Sequence, residues 1–177
     1  MQLIVNGVAH DVASPGLTPL LHVLREEVGI TSPKAGCQQG GCGSCTVLVD
    51  SEPRRSCLLA VASCDGAEIT TVEGLGTPEN LDQLQAAFHE QYGLQCGFCT
   101  PGMLMATHAL LERNASPSRG DIETALAGHV CRCTGYVKII AAVEAAAAGR
   151  IGSTQREPSL ADADPNEPEI VIPGSPA

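Results

Sequence analysis

The segment CQQGGCGSC, residues 37–45, places three cysteines in nine positions and fills half of the six remaining positions with glycine. A fourth cysteine, Cys57, follows after eleven further residues. Glycine tolerates positive φ and has no Cβ, so a loop of this composition can wrap closely around a bound group and turn its N–H groups inward. The composition therefore predicts a loop that wraps around a bound group.

The spacing CxxxxCxxC with one more distant cysteine is that of the plant-type 2Fe-2S loop. It predicts that one cluster is bound by Cys37, Cys42, Cys45 and Cys57. A structural zinc site would favour two CxxC or CxxC/HxxxH knuckles and fits this spacing poorly. A thioredoxin-like CxxC would need a helix after it, whereas a strand is predicted after Cys45. A catalytic cysteine would need a histidine partner, which the five scattered histidines do not suggest.

A second group of cysteines lies in the C-terminal half of the chain. It consists of CGFC, with Cys96 and Cys99, and of CRC, with Cys131 and Cys133. Both motifs are predicted at turns between helices, so four thiolates could close one compact site. The spacing CxC is not diagnostic, and spacing alone leaves iron-sulfur and zinc open for this second site.

Five short apolar runs predict strands, and Asn6-Gly7 between the first two is the strongest two-residue hairpin signal. The runs cover residues 2–5, 8–12, 46–50, 54–58 and 67–72. One short amphipathic helix is predicted between the second run and the third. These elements predict a small α+β domain over residues 1–75.

Three Thr-Pro pairs predict helix starts, because threonine is a good N-cap and proline is favoured at the first helical position. The pairs are Thr18-Pro19, Thr77-Pro78 and Thr100-Pro101. Ser118 and Asp121 predict the cap of another helix, and GYVKIIAAVEAAAAG predicts a last one at about 135–148. We expect an all-α four-helix domain over 76–149 and a flexible, acidic, Pro-rich tail over 150–177.

Composition and charge exclude several classes of function. A net charge of −10 with only ten Lys and Arg residues predicts no binding to nucleic acid. The start MQLIVNGVAHDV lacks a basic n-region, and no long apolar run occurs, so we expect a soluble, cytoplasmic protein without membrane insertion. Nine cysteines, an odd number, favour metal ligation over a disulfide scaffold.

The two cysteine groups and their surroundings resemble one family. QCGFCTPGMLM (95–105) and GHVCRCTGYVKII (128–140), downstream of GCQQGGCGSCTV and ITTVEGL, are similar to the iron-sulfur subunit of the molybdenum hydroxylases, the xanthine oxidase and aldehyde oxidoreductase family. The resemblance covers about residues 1–149. It implies a β-grasp ferredoxin domain with the distal 2Fe-2S cluster, followed by a four-helix domain with the proximal 2Fe-2S cluster on Cys96, Cys99, Cys131 and Cys133.

The resemblance also implies partners and further site residues. A large subunit would carry molybdopterin, and residues matching Gln95 and Cys133 would lie next to the pterin. A medium subunit with FAD, or a cytochrome, would accept the electrons. His129 stands where asparagine is common in the family, and we predict no role for it. Cys64 has no counterpart in the pattern, and we expect it to be a small buried hydrophobe.

Without a dinucleotide fingerprint, nucleophile elbow or recognisable acid/base pair, the chain is not expected to turn over a substrate alone. The resemblance implies one-electron transfer from molybdenum through the proximal and then the distal cluster, while the large subunit hydroxylates an aldehyde or N-heterocycle. Two alternatives stay open. A free ferredoxin-like carrier would purify alone, and a zinc-stapled adaptor would be colourless.

Overall fold

The computed structural model describes residues 1–150. Five strands form one mixed sheet in the order β2-β1-β5-β3-β4. The strands are β1 Gln2–Val5, β2 Val8–Asp11, β3 Thr46–Val49, β4 Glu52–Arg55 and β5 Glu68–Thr70. The helices are α1 Leu20–Glu26, α2 Gln83–Glu90, α3 Thr100–Arg113, α4 Arg119–Leu126 and α5 Val137–Ala147. The predicted tail, apart from residue 150, lies outside the described residues.

The sheet contains five strands, as the apolar runs predict, and begins with the predicted hairpin. Asn6 and Gly7 have φ values of +50° and +80°, the positive values that a tight two-residue hairpin between β1 and β2 requires. β1 then pairs in parallel with β5, and β3 pairs antiparallel with both β5 and β4. Together with α1 this is the predicted α+β layer, which we call the sheet part.

Two separate cores hold the chain together. The core of the sheet part packs α1 against the sheet and contains Leu3, Val5, Leu20, Val23, Leu24, Val47 and Ile69. The helical part, α2 to α5, has its own core, with Leu84, Phe88, Met103, Ile122, Ile139 and Val143. Because aliphatic side chains fill both cores and Phe88 is the one aromatic that is fully buried in residues 1–150, neither core gains much of the large area that aromatic rings bury.

The helix starts correct three details of the sequence prediction. Pro19, not Thr18, is the N-cap of α1, and Cys99 precedes α3, so that Thr100 and Pro101 belong to its first turn. The predicted start of α2 at Thr77-Pro78 is wrong, because α2 begins after Asp82. Asp82 and Gln85 form a capping box there, in which the side chain of each accepts from the backbone N–H of the other. The cap predicted at Ser118 and Asp121 is confirmed.

The fourth strand is also displaced from its predicted position. β4 covers Glu52–Arg55, whereas the prediction was residues 54–58, so Pro53 lies inside the strand. β4 is the edge of the sheet, and an edge strand tolerates proline because one side of its backbone has no neighbour to donate to. The shift leaves Ser56 and Cys57 in the turn that follows the strand.

The sheet part and the helical part meet along α3. Met105 and Ala109 of α3 pack on Leu48 of β3 in a small buried cluster. Met103, on the same helix, is buried in the core of the helical part. Among residues 1–150, none of the helices combines the length and the apolar character needed to cross a membrane.

Candidate metal centres

The first group of thiols lies at one end of the sheet. Cys37 and Cys42 belong to the loop between α1 and β3, Cys45 immediately precedes β3, and Cys57 follows β4. Cys37 is exposed and Cys42 half-buried, whereas Cys45 and Cys57 are buried together beside Leu21. The structure therefore brings together all four residues predicted for the first site.

Backbone N–H groups of this loop point at sulfur, as the glycine-rich composition predicts. The N–H groups of Gln39 and Cys42 donate to Cys37 Sγ at 3.4 and 3.3 Å, and the N–H of Cys37 donates to Cys42 Sγ at 3.4 Å. Such donors stabilise a thiolate, because they offset its negative charge. They lower the pKa of Cys37 to about 6, the donor from Gln39 contributing most.

At the buried end of the first group, the thiol pKa is shifted in the opposite direction. Burial, followed by the neighbouring Cys45 thiol, raises the pKa of Cys57 to about 11. A thiolate at Cys57 is therefore costly unless a cation lies beside it. An iron held by Cys57 would supply that cation and displace the proton, so ligand binding and deprotonation would be coupled at this residue.

The second group of thiols joins two turns of the helical part. Cys96 and Cys99 lie between α2 and α3, and Cys131 and Cys133 lie between α4 and α5. Cys96 and Cys133 are exposed, with their sulfurs 3.5 Å apart, and Cys99 is buried next to Cys131. All four residues predicted for the second site thus lie together, although they come from segments more than thirty residues apart.

Electrostatics at the second group follow from the same causes. Burial, followed by the adjacent Cys131 thiol, raises the pKa of Cys99 to about 12. Burial opposes ionisation of Cys131 as well, but hydrogen bonds from Thr134 outweigh it, and the pKa of Cys131 is lowered. The Thr134 hydroxyl lies 3.1 Å from Cys131 Sγ. Each group therefore combines a thiol whose pKa is lowered with a buried thiol whose pKa is raised.

Both groups arrange their thiols two by two. The pairs are Cys37 with Cys42, Cys45 with Cys57, Cys96 with Cys133, and Cys99 with Cys131. Within residues 1–150, no set of three or more His, Cys, Asp or Glu side chains is spaced to hold a single metal ion. A 2Fe-2S cluster takes four cysteines, two on each of its irons, so the paired arrangement of the thiols fits a 2Fe-2S cluster at each site.

The two thiol groups are in contact through the backbone. The N–H of Val130, next to Cys131, donates to the carbonyl oxygen of Cys42 at 3.0 Å. On the same side, Gly43 lies against His129 and the Gly128 carbonyl so closely that any Cβ at position 43 would overlap them. Gly43 also has φ +78°, which disfavours any other residue. The loop of the first group and the segment of the second are thus in direct contact.

His129 is the residue of this junction that sequence reasoning missed. It is only 5% exposed, and its Nε2 lies 3.0 Å from Thr46 Oγ1 and 3.1 Å from Arg55 Nη1. Burial and the guanidinium of Arg55 lower the pKa of His129 to about 4, so the ring is neutral at pH 7. Its place two residues before Cys131 was the only signal in the sequence, and it does not indicate burial.

The remaining predicted residues lie as follows. Gln95 is exposed, and its Nε2 donates to the carbonyl oxygen of Cys133 at 3.3 Å. Gln95 and Cys133 are therefore neighbours on the surface of the second site. Cys64 is buried in the core of the sheet part, at the end of a short 3₁₀ turn, Val61–Cys64, as expected of a small hydrophobe.

Comparison with protein-family models gives two matches. Residues 3–68 match the 2Fe-2S iron-sulfur cluster binding domain, and residues 71–144 match the [2Fe-2S] binding domain. The first match contains the first thiol group, and the second match contains the second group. The chain therefore has two 2Fe-2S binding domains.

Curated relatives cover most of the described chain. The nicotinate dehydrogenase small FeS subunit of Eubacterium barkeri is 41% identical over 143 residues, which are 81% of this chain and 91% of that protein. The nicotine 6-hydroxylase small subunit of Paenarthrobacter nicotinovorans is 46% identical over 149 residues, 84% of this chain and 89% of that subunit. The aldehyde oxidoreductase of Megalodesulfovibrio gigas is 44% identical, but the chain spans only 16% of its length.

Solved structures agree with the fold. Quinoline 2-oxidoreductase from Pseudomonas putida 86 has a TM-score of 0.77 at 43% identity, with 84% of this chain and 96% of the compared chain covered. Aldehyde oxidoreductase from Desulfovibrio gigas has a TM-score of 0.80 at 42% identity, with 84% of this chain but 17% of the longer chain covered. In one case the match is a whole chain, and in the other it is a segment of a much larger one.

Proposed function

Because the chain belongs to the iron-sulfur subunits of the molybdenum hydroxylase family, we propose that it passes electrons from a molybdopterin centre on a large partner subunit to an acceptor on another subunit. The observation that carries the proposal is the pairing of eight thiols, two by two, in two adjoining sites. A free carrier would need only the first of these sites.

We assign the ligands residue by residue. The distal 2Fe-2S cluster is assigned to Cys37, Cys42, Cys45 and Cys57, and the proximal one to Cys96, Cys99, Cys131 and Cys133. When bound, the clusters supply reversible one-electron transfer, whose potential depends on hydrogen bonds to sulfur, burial and solvent access. The N–H groups of Gln39 and Cys42 at Cys37 Sγ, the N–H of Cys37 at Cys42 Sγ and the hydroxyl of Thr134 at Cys131 Sγ are donors that this chain contributes.

Gln95 and Cys133 are proposed to face the molybdopterin of the large subunit. The exposure of Cys96 and Cys133 supports this assignment, since electrons enter most readily where a ligand reaches the surface. The exposed amide of Gln95, which donates to Cys133 O, is placed to hold that turn while offering its carbonyl oxygen to a partner. In the first site, the exposed Cys37 is proposed as the ligand through which electrons leave.

The reaction served is proposed to be oxidation, by hydroxylation, of an aldehyde or an N-heterocycle on the large subunit. Relatives named for aldehydes, nicotinate, nicotine and quinoline support this substrate class. The acceptor is proposed to be FAD on a medium subunit, or else a cytochrome. We propose the cytoplasm as the site of assembly. The domain limits proposed for this function are residues 1–75, 76–149 and a tail over 150–177.

The proposal is tested by purifying the tagged chain gently from its native host and measuring molybdenum, iron, FAD and haem in the complex. Molybdenum with FAD and about four irons per small subunit is expected for a three-component hydroxylase. Molybdenum with haem and no flavin identifies the cytochrome-linked form. Iron on a chain that purifies alone would overturn the proposal in favour of a free carrier, and a colourless zinc protein would overturn the cluster assignment itself.

A further inference from the structure

Three polar side chains bridge the sheet part and the helical part where the two thiol groups approach each other. Arg55 ends β4, Thr46 begins β3 one residue after Cys45, and His129 lies two residues before Cys131. We call these three residues the interdomain clamp. None of them is proposed as a ligand, and the burial of Thr46 and His129, at 1% and 5% exposure, removes both from contact with a partner subunit.

The hydrogen bonds of the clamp can be assigned from donor counting. The single hydroxyl hydrogen of Thr46 is donated to the carbonyl oxygen of Gly43, at 2.7 Å. Thr46 Oγ1 must therefore accept from Arg55 Nη1. The second hydrogen of Nη1 is then available to His129 Nε2, at 3.1 Å, so this nitrogen is the acceptor of the neutral ring.

Arg55 also bonds to the backbone on both sides of the junction. Its Nη2 donates to the carbonyl oxygen of Gly128 at 2.6 Å, and its Nε approaches the carbonyl oxygen of Gly40 at 3.4 Å. A planar guanidinium with several donors fixes its partners in direction as well as distance. One side chain thus links the loop of Cys37 and Cys42 to the segment that leads to Cys131.

We propose that the interdomain clamp positions the two thiol groups relative to each other and thereby sets the rate of electron transfer between the two clusters. The inference rests on the proposed function, because it takes both clusters to be bound. Its three residues are positioning residues, which act through the backbone at Gly43, Gly128 and the hydrogen bond from Val130 to Cys42. Electron tunnelling falls steeply with distance, so a small displacement at this junction has a large effect.

The test compares two threonine variants of the full chain with both clusters bound. Thr46→Val keeps the shape of the side chain and removes the hydroxyl from the clamp. Thr107→Val is the matched control, because Thr107 is equally buried and its hydroxyl bonds only to carbonyls of its own helix, α3. The readouts are the magnetic interaction between the two reduced clusters in the electron paramagnetic resonance spectrum, and the rate of transfer between the clusters after rapid one-electron reduction.

Thr46→Val is expected to alter the magnetic interaction and to slow transfer between the clusters by roughly 10-fold, the lower end of what loss of an outer-shell contact costs. Thr107→Val is expected to leave both at the wild-type value. His129→Leu should act like Thr46→Val, whereas His129→Asn, which restores an acceptor, should recover most of the rate.

Wild-type interaction and rate in Thr46→Val would overturn the proposal, even if its melting temperature fell. Outright loss of one cluster signal in that variant would also overturn it, since the clamp would then retain a cluster rather than space two. If His129→Leu does not fold, Thr46→Val decides alone. Failure of the proposed function is distinguishable, because it appears in the wild-type chain as the absence of a second cluster or of the molybdenum partner.

Discussion

Gly102 in α3 lies directly against the carbonyl group of Gly43, so that a Cβ at position 102 would overlap the Gly43 oxygen and crowd the backbone of Ser44. Gly102 is buried and belongs to the first turn of the helix that carries Cys99 at its N-cap. The loop between Cys42 and Cys45 and the start of α3 therefore meet backbone to backbone. Close approach of the two thiol groups depends on this contact as well as on the clamp.

Replacing Gly102 by alanine is expected to force α3 and the first thiol loop apart. The obstacle is backbone, which cannot rotate away, so we expect the cost at the upper end of the usual 1–3 kcal/mol for overpacking, about 3 kcal/mol. The measurement is denaturant unfolding of the full chain, followed with the visible absorbance of both clusters. Perturbed absorbance should accompany the loss of stability.

Gly120→Ala is the matched control for this substitution. Gly120 also lies in the first turn of a helix, α4, and an added Cβ there would meet nothing closer than Ser118 Oγ at 3.8 Å. Alanine favours the helix, so stability should rise by up to about 1 kcal/mol. Equal effects of the two substitutions would contradict the backbone contact described for Gly102.

The assignment of the eight ligands predicts independent loss of the two clusters. Cys99→Ser should abolish or sharply alter the spectroscopic signal of one cluster and spare the other, because Cys99 pairs with Cys131 and lies in the helical part. Electron paramagnetic resonance of the reduced chain distinguishes the two signals. Cys64→Ala, at a buried cysteine outside both groups, should leave both signals intact. Loss of both signals in Cys99→Ser would argue against two separate sites.

Local chemistry made much of the fold predictable from the sequence. The hairpin at Asn6-Gly7 and the cap at Ser118 depend on one or two neighbouring residues, and both are found as predicted. The cysteine spacing of the first site is similarly local, apart from Cys57. The predicted turns between helices grouped Cys131 and Cys133 with Cys96 and Cys99, but the choice of iron-sulfur over zinc for this second site came from the resemblance, since a CxC spacing is not diagnostic.

The features that the sequence did not reveal are contacts between distant segments. Arg55 and His129 are separated by more than seventy residues, and neither belongs to a recognisable pattern. Whether a histidine is buried depends on what packs over it, which here is the loop of Gly43. The start predicted for α2 at Thr77-Pro78 was wrong for a different reason. A Thr-Pro pair is compatible with the beginning of a helix, but α2 begins instead at the reciprocal capping box of Asp82 and Gln85 further along the chain.

The contributions of Asp82 and Thr77 to the start of α2 can be compared by measuring stability. Asp82 Oδ1 accepts from the Gln85 N–H at 2.7 Å, and Gln85 Oε1 accepts from the Asp82 N–H at 2.9 Å. Asp82→Ala should lower the free energy of unfolding by about 1 kcal/mol, the usual effect of losing an N-cap. Thr77→Ala should cost less, because the Thr77 hydroxyl only accepts from the Asn80 N–H at 3.2 Å in a turn. A larger loss of stability in Thr77→Ala than in Asp82→Ala would support the helix start at Thr77 that the sequence predicted.

Glu73 lies in the segment between the sheet part and the helical part and bonds to Ser32, which precedes the first thiol loop. Its carboxylate accepts from the N–H of Ser32 at 3.0 Å, from the Ser32 hydroxyl, and from the Thr71 hydroxyl at 2.7 Å. Burial alone would raise the pKa of Glu73, but these donors outweigh it and hold the pKa below its usual value of 4.5. The ionised form is therefore the one that stabilises the folded chain.

A depressed pKa in the folded state stabilises the protein above the pKa of the unfolded state, and this contribution is lost as the pH falls through the folded value. Glu73→Gln should therefore be less stable than the wild type at pH 7, by on the order of 1 kcal/mol for a partly exposed group. The difference should stay constant down to about pH 5 and then shrink towards zero as Glu73 itself becomes neutral. Denaturant unfolding of both chains across this range measures it. A difference that persists unchanged at pH 3 would mean that glutamine disturbs the packing at Ser32, and that the charge of Glu73 contributes nothing.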